Sequence, residues 1–179
     1  VPSHTVALAL LKEFESQGGQ GVAAPSANRF GKVSPTTAQA VSDELSNYLT
    51  STDLILDGGP CAVGVESTII DCTQSLPVII RPGEVSTQMI EELLLIKLPI
   101  FDTQSNQIKA PGLLTSHYSP NAKVFLTGTP APGDGLIAPI SVKTPDEVIR
   151  LAAPKNNTEY AHALYNALRQ GDALGIKNI

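Results

Sequence analysis

Positive charge is scarce in this chain. Lys and Arg number 12 against 17 Asp and Glu in 179 residues, a formal net charge of −5. A domain that grips nucleic acid mainly by neutralising phosphates is usually basic, so a broad nucleic-acid face is not expected; a local basic groove remains compatible with the count. No run approaches the roughly 18 apolar residues of a membrane span. The opening VPSHTVALALLKEF also lacks the basic-then-apolar order of a signal peptide. Cysteine is nearly missing: Cys61 and Cys72 are too few and too widely spaced for a zinc knuckle or a redox pair. Buried free thiols in a reducing cytosol are the expectation. His4, His117 and His162 are scattered, which argues against a three-ligand metal site. The chain has no G-x-S-x-G elbow, no G-x-x-x-x-G-K-[ST] phosphate loop and no G-x-G-x-x-G turn. A nucleotide, if bound, must be held another way.

What is present suits a globular α/β protein. Hydrophobic residues make up 42% of the sequence, enough for a real core. Ser3 is the expected N-cap of a first helix carrying Val6, Leu10, Leu11 and Phe14 on one face and stopping at Gly18-Gly19. GVAA (21–24) reads as a short buried strand. Ser34-Pro35 reads as an N-cap with proline in the first turn, followed by an apolar stripe of Ala38, Val41 and Leu45. LILDGG (54–59), VESTIID (65–71) and PVIIRPG (77–83) read as strands, and Ser86 as the cap of a helix with Met89, Ile90, Leu93 and Leu94. The stretch 102–120 has no steady periodicity and is expected to be a linker. Beyond it KVFL and LIAPISV read as strands, and TPDEVIRLA as a helix opened by a Thr144–Glu147 capping box with Pro145. Tyr160 to Arg169 reads as a helix with Ala161, Leu164, Tyr165 and Leu168 on one side, closed by Gly171. Strands alternating with helices predict α/β architecture on both sides of the linker.

Three places have chemistry in them. A helix opening at Ser34-Pro35 would turn unpaired N–H groups and a positive dipole end toward an anion, with Ser26 and Ser34 as hydroxyl donors and Gly31 allowing close approach. The plainer alternative is that Ser34 only caps its helix. In GVESTIID, alternation puts Glu66 and Thr68 on one face and Ser67 on the other. A carboxylate in so apolar a segment lies at an exposed edge or has a partner. Arg81, held by the Pro82-Gly83 turn at a strand end, suits bidentate phosphate contact or a surface salt bridge.

Taken together, APSANRFGKVSPT, LDGG, GVESTIID and RPGE, in this order and spacing, resemble the YrdC-like family. APGLLTSHYSP resembles the linker of its two-domain members, the threonylcarbamoyl-AMP synthases. The resemblance covers most of residues 1–121; residues 122–179 resemble the first part of the accessory domain by pattern more than by motif. It implies a YrdC-like catalytic portion over 1–100 with a twisted mixed sheet, a linker over 101–121, and the start of a smaller Rossmann-like α/β domain over 122–179. It also implies a reaction in which L-threonine, bicarbonate and ATP, with Mg²⁺, give threonylcarbamoyl-adenylate and pyrophosphate, and the product feeds the tRNA threonylcarbamoyl transferase machinery. Carried over by position, Ala24 (by its backbone), Ser26, Ser34, Arg81 and Tyr118 would meet ATP, with Tyr118 folding over it. Ser67, with Thr68, would face threonine. Asn28, Glu66 and His117 belong to the same motifs as support. No protein metal ligand and no general acid or base is implied.

One departure is large: the family's basic Lys-x-Arg motif, which precedes these blocks, has no match here. Both ends are expected to be cut, and the 179 residues alone to fold poorly and lack synthase activity, because apolar sheet surface would stay uncovered. Two rivals remain in view. An RNA-binding module of translation or ribosome assembly is disfavoured by the acidic balance. The carbamoyl-transfer domain of hydrogenase maturation proteins is disfavoured by the missing cysteine-rich zinc segments.

Overall fold

The computed structural model describes residues 2–99 and 118–179. The elements are α1 (Thr5–Ser16), α2 (Ala38–Leu45), β1 (Ile69–Asp71), β2 (Val78–Arg81), α3 (Thr87–Leu94), β3 (Gly135–Ile137), β4 (Ile149–Ala152) and α4 (Asn157–Ala173). The fold is mixed α/β with small sheets. Among the described residues no helix is long and apolar enough to cross a membrane.

β1 and β2 pair antiparallel, Ile70 opposite Ile79 and Asp71 opposite Val78, with a register shift between Ile69 and Ile70. The irregularity falls where Ile69 faces Arg81, the last residue of β2. Such shifts bend a strand and re-aim the side chains beside it. Ile79 and Ile80 are buried and anchor this hairpin, and the Ile79 amide is held by the Pro99 carbonyl (3.0 Å). α3 follows, and the Ser86 hydroxyl accepts from the Met89 amide as the sequence predicts.

The second sheet pairs β3 and β4 in parallel. Leu151, Ala167 and Ile176 form its core, with Ile137, Ala152 and Ile179 packed against them. KVFL forms no regular strand, but Lys123 and Phe125 exchange backbone bonds with Lys177 and Ile179 (2.8 Å each) beside this sheet. α4 is longer than expected: Asn156 caps it, and it runs through Gly171, which is buried against Ile179, to Ala173.

Several expectations fail, each for a physical reason. Residues 21–24 and 54–59 are exposed and form no strand. A strand needs a neighbour for its N–H and C=O groups, and among the described residues neither segment has one. Of 65–71 only Ile69–Asp71 is a strand. α1 is preceded by His4, not Ser3, and makes no side-chain cap. α2 begins after Thr37, whose hydroxyl accepts from the Ala40 amide, so Ser34 is not a cap. Thr144–Glu147 starts no helix: Glu147 has φ of 60° and β4 follows. The cause is Arg150, whose guanidinium donates to the carbonyls of Ala152, Val142, Ala138 and Pro139 and to the Thr144 hydroxyl at 2.6–3.2 Å. These bonds tie the segment to residues 138–142, the Val148 amide closes a turn on the Pro145 carbonyl (3.3 Å), and the β-branched pair Val148-Ile149 favours the strand that follows. The thiols Cys61 and Cys72 are exposed, not buried. Large apolar side chains are also uncovered, Leu54 at 85% and Leu56 at 57% among them.

Candidate functional site

The bulged end of β2 delivers Arg81 to the loop that precedes β1. Its Nε and Nη2 both donate to the Ser67 carbonyl (3.0 and 2.8 Å), and Nη2 also reaches Ser67 Oγ (3.2 Å). Nη1 donates to the Tyr118 hydroxyl at 3.2 Å. The Glu66 carboxylate lies 3.9 Å from Nη2; the two side chains are 12% and 22% exposed for Arg81 and Glu66. Shielded from water, this pair interacts more strongly than a surface pair.

Glu66 has a second partner. The Ser34 hydroxyl, 9% exposed as a residue, donates to Glu66 Oε1 at 2.6 Å, with Asn28 Oδ1 a more distant 3.4 Å away. A hydroxyl has one proton, so the short contact to the carboxylate is the bond. That long-range bond explains why Ser34 is drawn away from helix capping. The Asn28 amide closes its own loop by donating to the carbonyls of Arg29 and Lys32, both at 2.9 Å. Gly31 adopts φ of +80° in this loop, and its carbonyl accepts from the Ser119 amide (2.9 Å). Tyr118, just before, has φ of 55°, a region uncommon for a bulky side chain and found at functional sites.

Gly83 makes the constellation possible. A Cβ built there would stand 2.4 Å from Glu66 O and from Thr68 N, and 2.6 Å from Ser67 C. Only a residue without a side chain lets the Pro82-Gly83 turn press on the backbone that presents Glu66 and Ser67.

The structure therefore brings Ser34, Glu66, Ser67, Arg81 and Tyr118 into one network, with Asn28 bracing the loop beside Ser34. Thr68 points its hydroxyl elsewhere, donating to the Val85 carbonyl (2.6 Å). Ala24 and Ser26 lie on the exposed 21–26 segment, where Ser26 makes no side-chain hydrogen bond among the described residues. His117 lies outside the described residues. Among those described, no group of three or more His, Cys, Asp or Glu could hold a metal ion.

Sequence reasoning missed residues from α4. The sequence pattern puts Tyr165 on that helix's apolar side, yet its ring lies 6.2 Å from that of Tyr118 at 31°, within the range of favourable aromatic pairs. Burial, then the Glu66 carboxylate and the Tyr118 phenol, push the Tyr165 hydroxyl up to about 12, with Arg81 working the other way. Below pH 10.0, the ordinary phenol value, both folded and unfolded chains hold this proton. Between there and about 12 the unfolded chain loses it first, so the stability tied to Tyr165 falls as pH rises through that window. Tyr165→Phe is expected to flatten that alkaline fall in a series of denaturant melts. An unchanged slope would mean that Tyr165 does not carry it.

Arg169, one turn on, donates to the carbonyls of Val33 and Ala40 (3.1 Å each) and to Glu44 (3.2 Å). Glu44 also takes Arg29 at 2.8 Å. Burial opposes ionisation of Glu44, but the bonds from Arg29 and Arg169 outweigh it and hold its carboxyl below the usual carboxylate value. A groove of about 590 Å³ opens between α2, the 29–33 loop and α4, lined by Arg29, Lys32, Asp43 and Asn166 among others. Its walls are of mixed charge, and it flanks the Arg81 network without including it.

Comparison with known proteins places the chain. Residues 1–83 match the family model of Sua5, YciO and YrdC, described as telomere recombination. Residues 85–179 match the model of the C-terminal domain of threonylcarbamoyl-AMP synthase. The chain belongs to the YrdC-like threonylcarbamoyl-AMP synthase family. Threonylcarbamoyl-AMP synthase of Bacillus subtilis (strain 168) is 37% identical over 131 residues, 70% of this chain and 35% of that protein. Its namesake from Pyrococcus abyssi is 37% identical over 133 residues, 73% of this chain and 37% of the relative. The chain thus spans about a third of the length of the curated relatives it matches. The crystal structure of P. abyssi Sua5 complexed with L-threonine superposes with a TM-score of 0.81 at 31% identity, over 100% of this chain and 56% of that one.

Proposed function

We propose that the protein carrying this chain is a threonylcarbamoyl-AMP synthase. The amine of L-threonine takes up bicarbonate with loss of water. The resulting carbamate oxygen then attacks the α-phosphorus of ATP, forming threonylcarbamoyl-adenylate and expelling pyrophosphate. The observation that carries this is the Arg81 fork, sequestered at a bulged strand end and fixed on Ser67, Tyr118 and Glu66. Displacement at phosphorus asks a protein chiefly for positioning and for cations beside the developing charge. Arg81 provides the cation. Ser34 and the backbone around Ala24 and Ser26 would face the nucleotide, Ser67 and Thr68 the threonine, and Tyr118 would cover both. The P. abyssi relative held L-threonine in its crystal, which supports threonine as the amino-acid substrate.

Mg²⁺ would be carried by the triphosphate. Glu66, the carboxylate nearest the fork, is committed to the Ser34 hydroxyl and to Arg81. That donor set suits a guanidinium and not a hard cation, which prefers an octahedral shell of oxygens. The finer architecture belongs to the same proposal: a catalytic portion over 1–100, a linker over 101–121 and a Rossmann-like portion over 122–179. The parallel β3–β4 pair under α4 supports the last of these. The product would pass to the tRNA threonylcarbamoyl transferase machinery in the cytoplasm.

The test is pyrophosphate release together with chromatographic detection of the adenylate. Release should need ATP, L-threonine and bicarbonate together. Pyrophosphate or adenylate formed at an undiminished rate without threonine would refute the assignment.

A further inference from the structure

α4 meets the catalytic portion and the chain at 118–122 along one narrow stripe. His162, Tyr165, Arg169 and Asp172 follow one another at steps of three, four and three residues, which stacks them on a single helix face. Each touches a different segment. The Nδ1–H of His162 donates to Ala62 O (3.0 Å), just before Gly64 and Glu66. Tyr165 packs its ring, tilted by 31°, against that of Tyr118. Arg169 holds the carbonyl of Val33, next to Ser34, together with Ala40 and Glu44 of α2. Asp172 accepts from the Asn121 amide (2.8 and 2.9 Å) and from the Ala122 amide (3.1 Å). The fit is close: a Cβ on Gly64 would stand 2.3 Å from the His162 carbonyl.

This stripe differs in kind from the opposite contact. Toward β4, α4 buries Ala167 beside Leu151 and Ile176, an apolar contact that tolerates small slips. Toward the site it uses mostly hydrogen bonds, several of them charged, whose strength depends on direction as well as distance. Arg169 and Glu44 are 18% and 9% exposed, so the pair is shielded from water.

We infer that the His162–Asp172 stripe of α4 is a positioning device for the substrate site. Arg169 fixes the Ser34 loop, Tyr165 fixes Tyr118, and His162 steadies the approach to Glu66 and Ser67. None of the four is a catalytic residue; they act through the groups they hold. Groups that are not held in place before binding seat a ligand less tightly, so the docking of α4 governs how well ATP is seated. The part concerning ATP rests on the function proposed above; the part concerning loop order does not.

Two measurements on the protein carrying this chain separate those parts. In Arg169→Ala, amide hydrogen exchange in peptides covering 28–45 and 58–68 should speed up about tenfold or more, the size expected for losing charge-assisted bonds, while 149–152 stays protected. Arg169→Lys keeps the charge but not the fork, and should move exchange the same way by a smaller factor. If Arg169→Ala unfolds and 149–152 also loses protection, Arg169→Lys alone decides by the same criterion. Kinetically, both variants should raise KM for ATP more than they lower kcat. Exchange within about twofold of the parent in a folded variant overturns the inference, as does a loss confined to kcat. Should the parent form no adenylate at all, the functional assignment fails, and the exchange data still judge the stripe.

Discussion

Arg81→Ala is expected to lower kcat/KM for adenylate formation by about 10²–10³-fold, the range found when one preorganised donor is removed from a site of developing charge. The loss has three sources. Two guanidinium N–H groups release the Ser67 carbonyl, one releases the Tyr118 hydroxyl, and Glu66 loses the cation 3.9 Å away. The orphaned carboxylate would keep its Ser34 bond and repel an incoming triphosphate. Arg81→Lys should recover only a small part, because an ammonium cannot straddle one carbonyl and reach a phenol at the same time. Steady-state rates with ATP and threonine varied in turn provide the check. Activity within about threefold of the parent in Arg81→Ala would remove the guanidinium from the phosphate role.

The second large effect concerns backbone and not charge. Gly83→Ala places a methyl 2.4 Å from two backbone atoms of the 66–68 segment, and neither is the tip of a flexible side chain. Either the turn or the segment must move, a strain of about 1–3 kcal/mol or more. If the segment moves, Glu66 and Ser67 leave the reach of Ser34 and Arg81. The expected result is therefore a lowered denaturation midpoint together with weakened ATP binding. Gly21→Ala is the control: nothing lies within 4 Å of a Cβ there, and it should change neither. A neutral Gly83→Ala would mean that the turn yields and that the close approach is not what presents Glu66.

These two positions also show what the sequence could and could not reveal. Arg81 and Gly83 stand in RPGE beside a β-rich run, so a guanidinium at a strand end was legible from local signals, as was the Ser86 cap. Glu66 was legible as a carboxylate needing a partner, but not which partner, because Ser34 lies 32 residues away. That same bond is why the helix opens at Thr37 and not at Ser34-Pro35. The Thr144–Glu147 capping box was overruled by Arg150, whose acceptors are spread over the preceding turn. Residues 21–24 and 54–59 have the composition of strands, but pairing is decided by neighbours and not by composition. The α4 stripe was invisible because polar residues at helical spacing look the same whether they meet water or another segment.

The exposed thiol of Cys61 offers a way to watch the site work. Its amide is bonded to the Thr36 carbonyl (2.8 Å), and its neighbour Ala62 is the residue that His162 holds. A maleimide dye placed there would sit at the junction of the two loops and α4, so its emission would respond to changes in their packing. Cys72, also exposed, lies just past β1; it and any other exposed thiol of the protein carrying this chain would need to be changed to serine so that a single label gives a single signal.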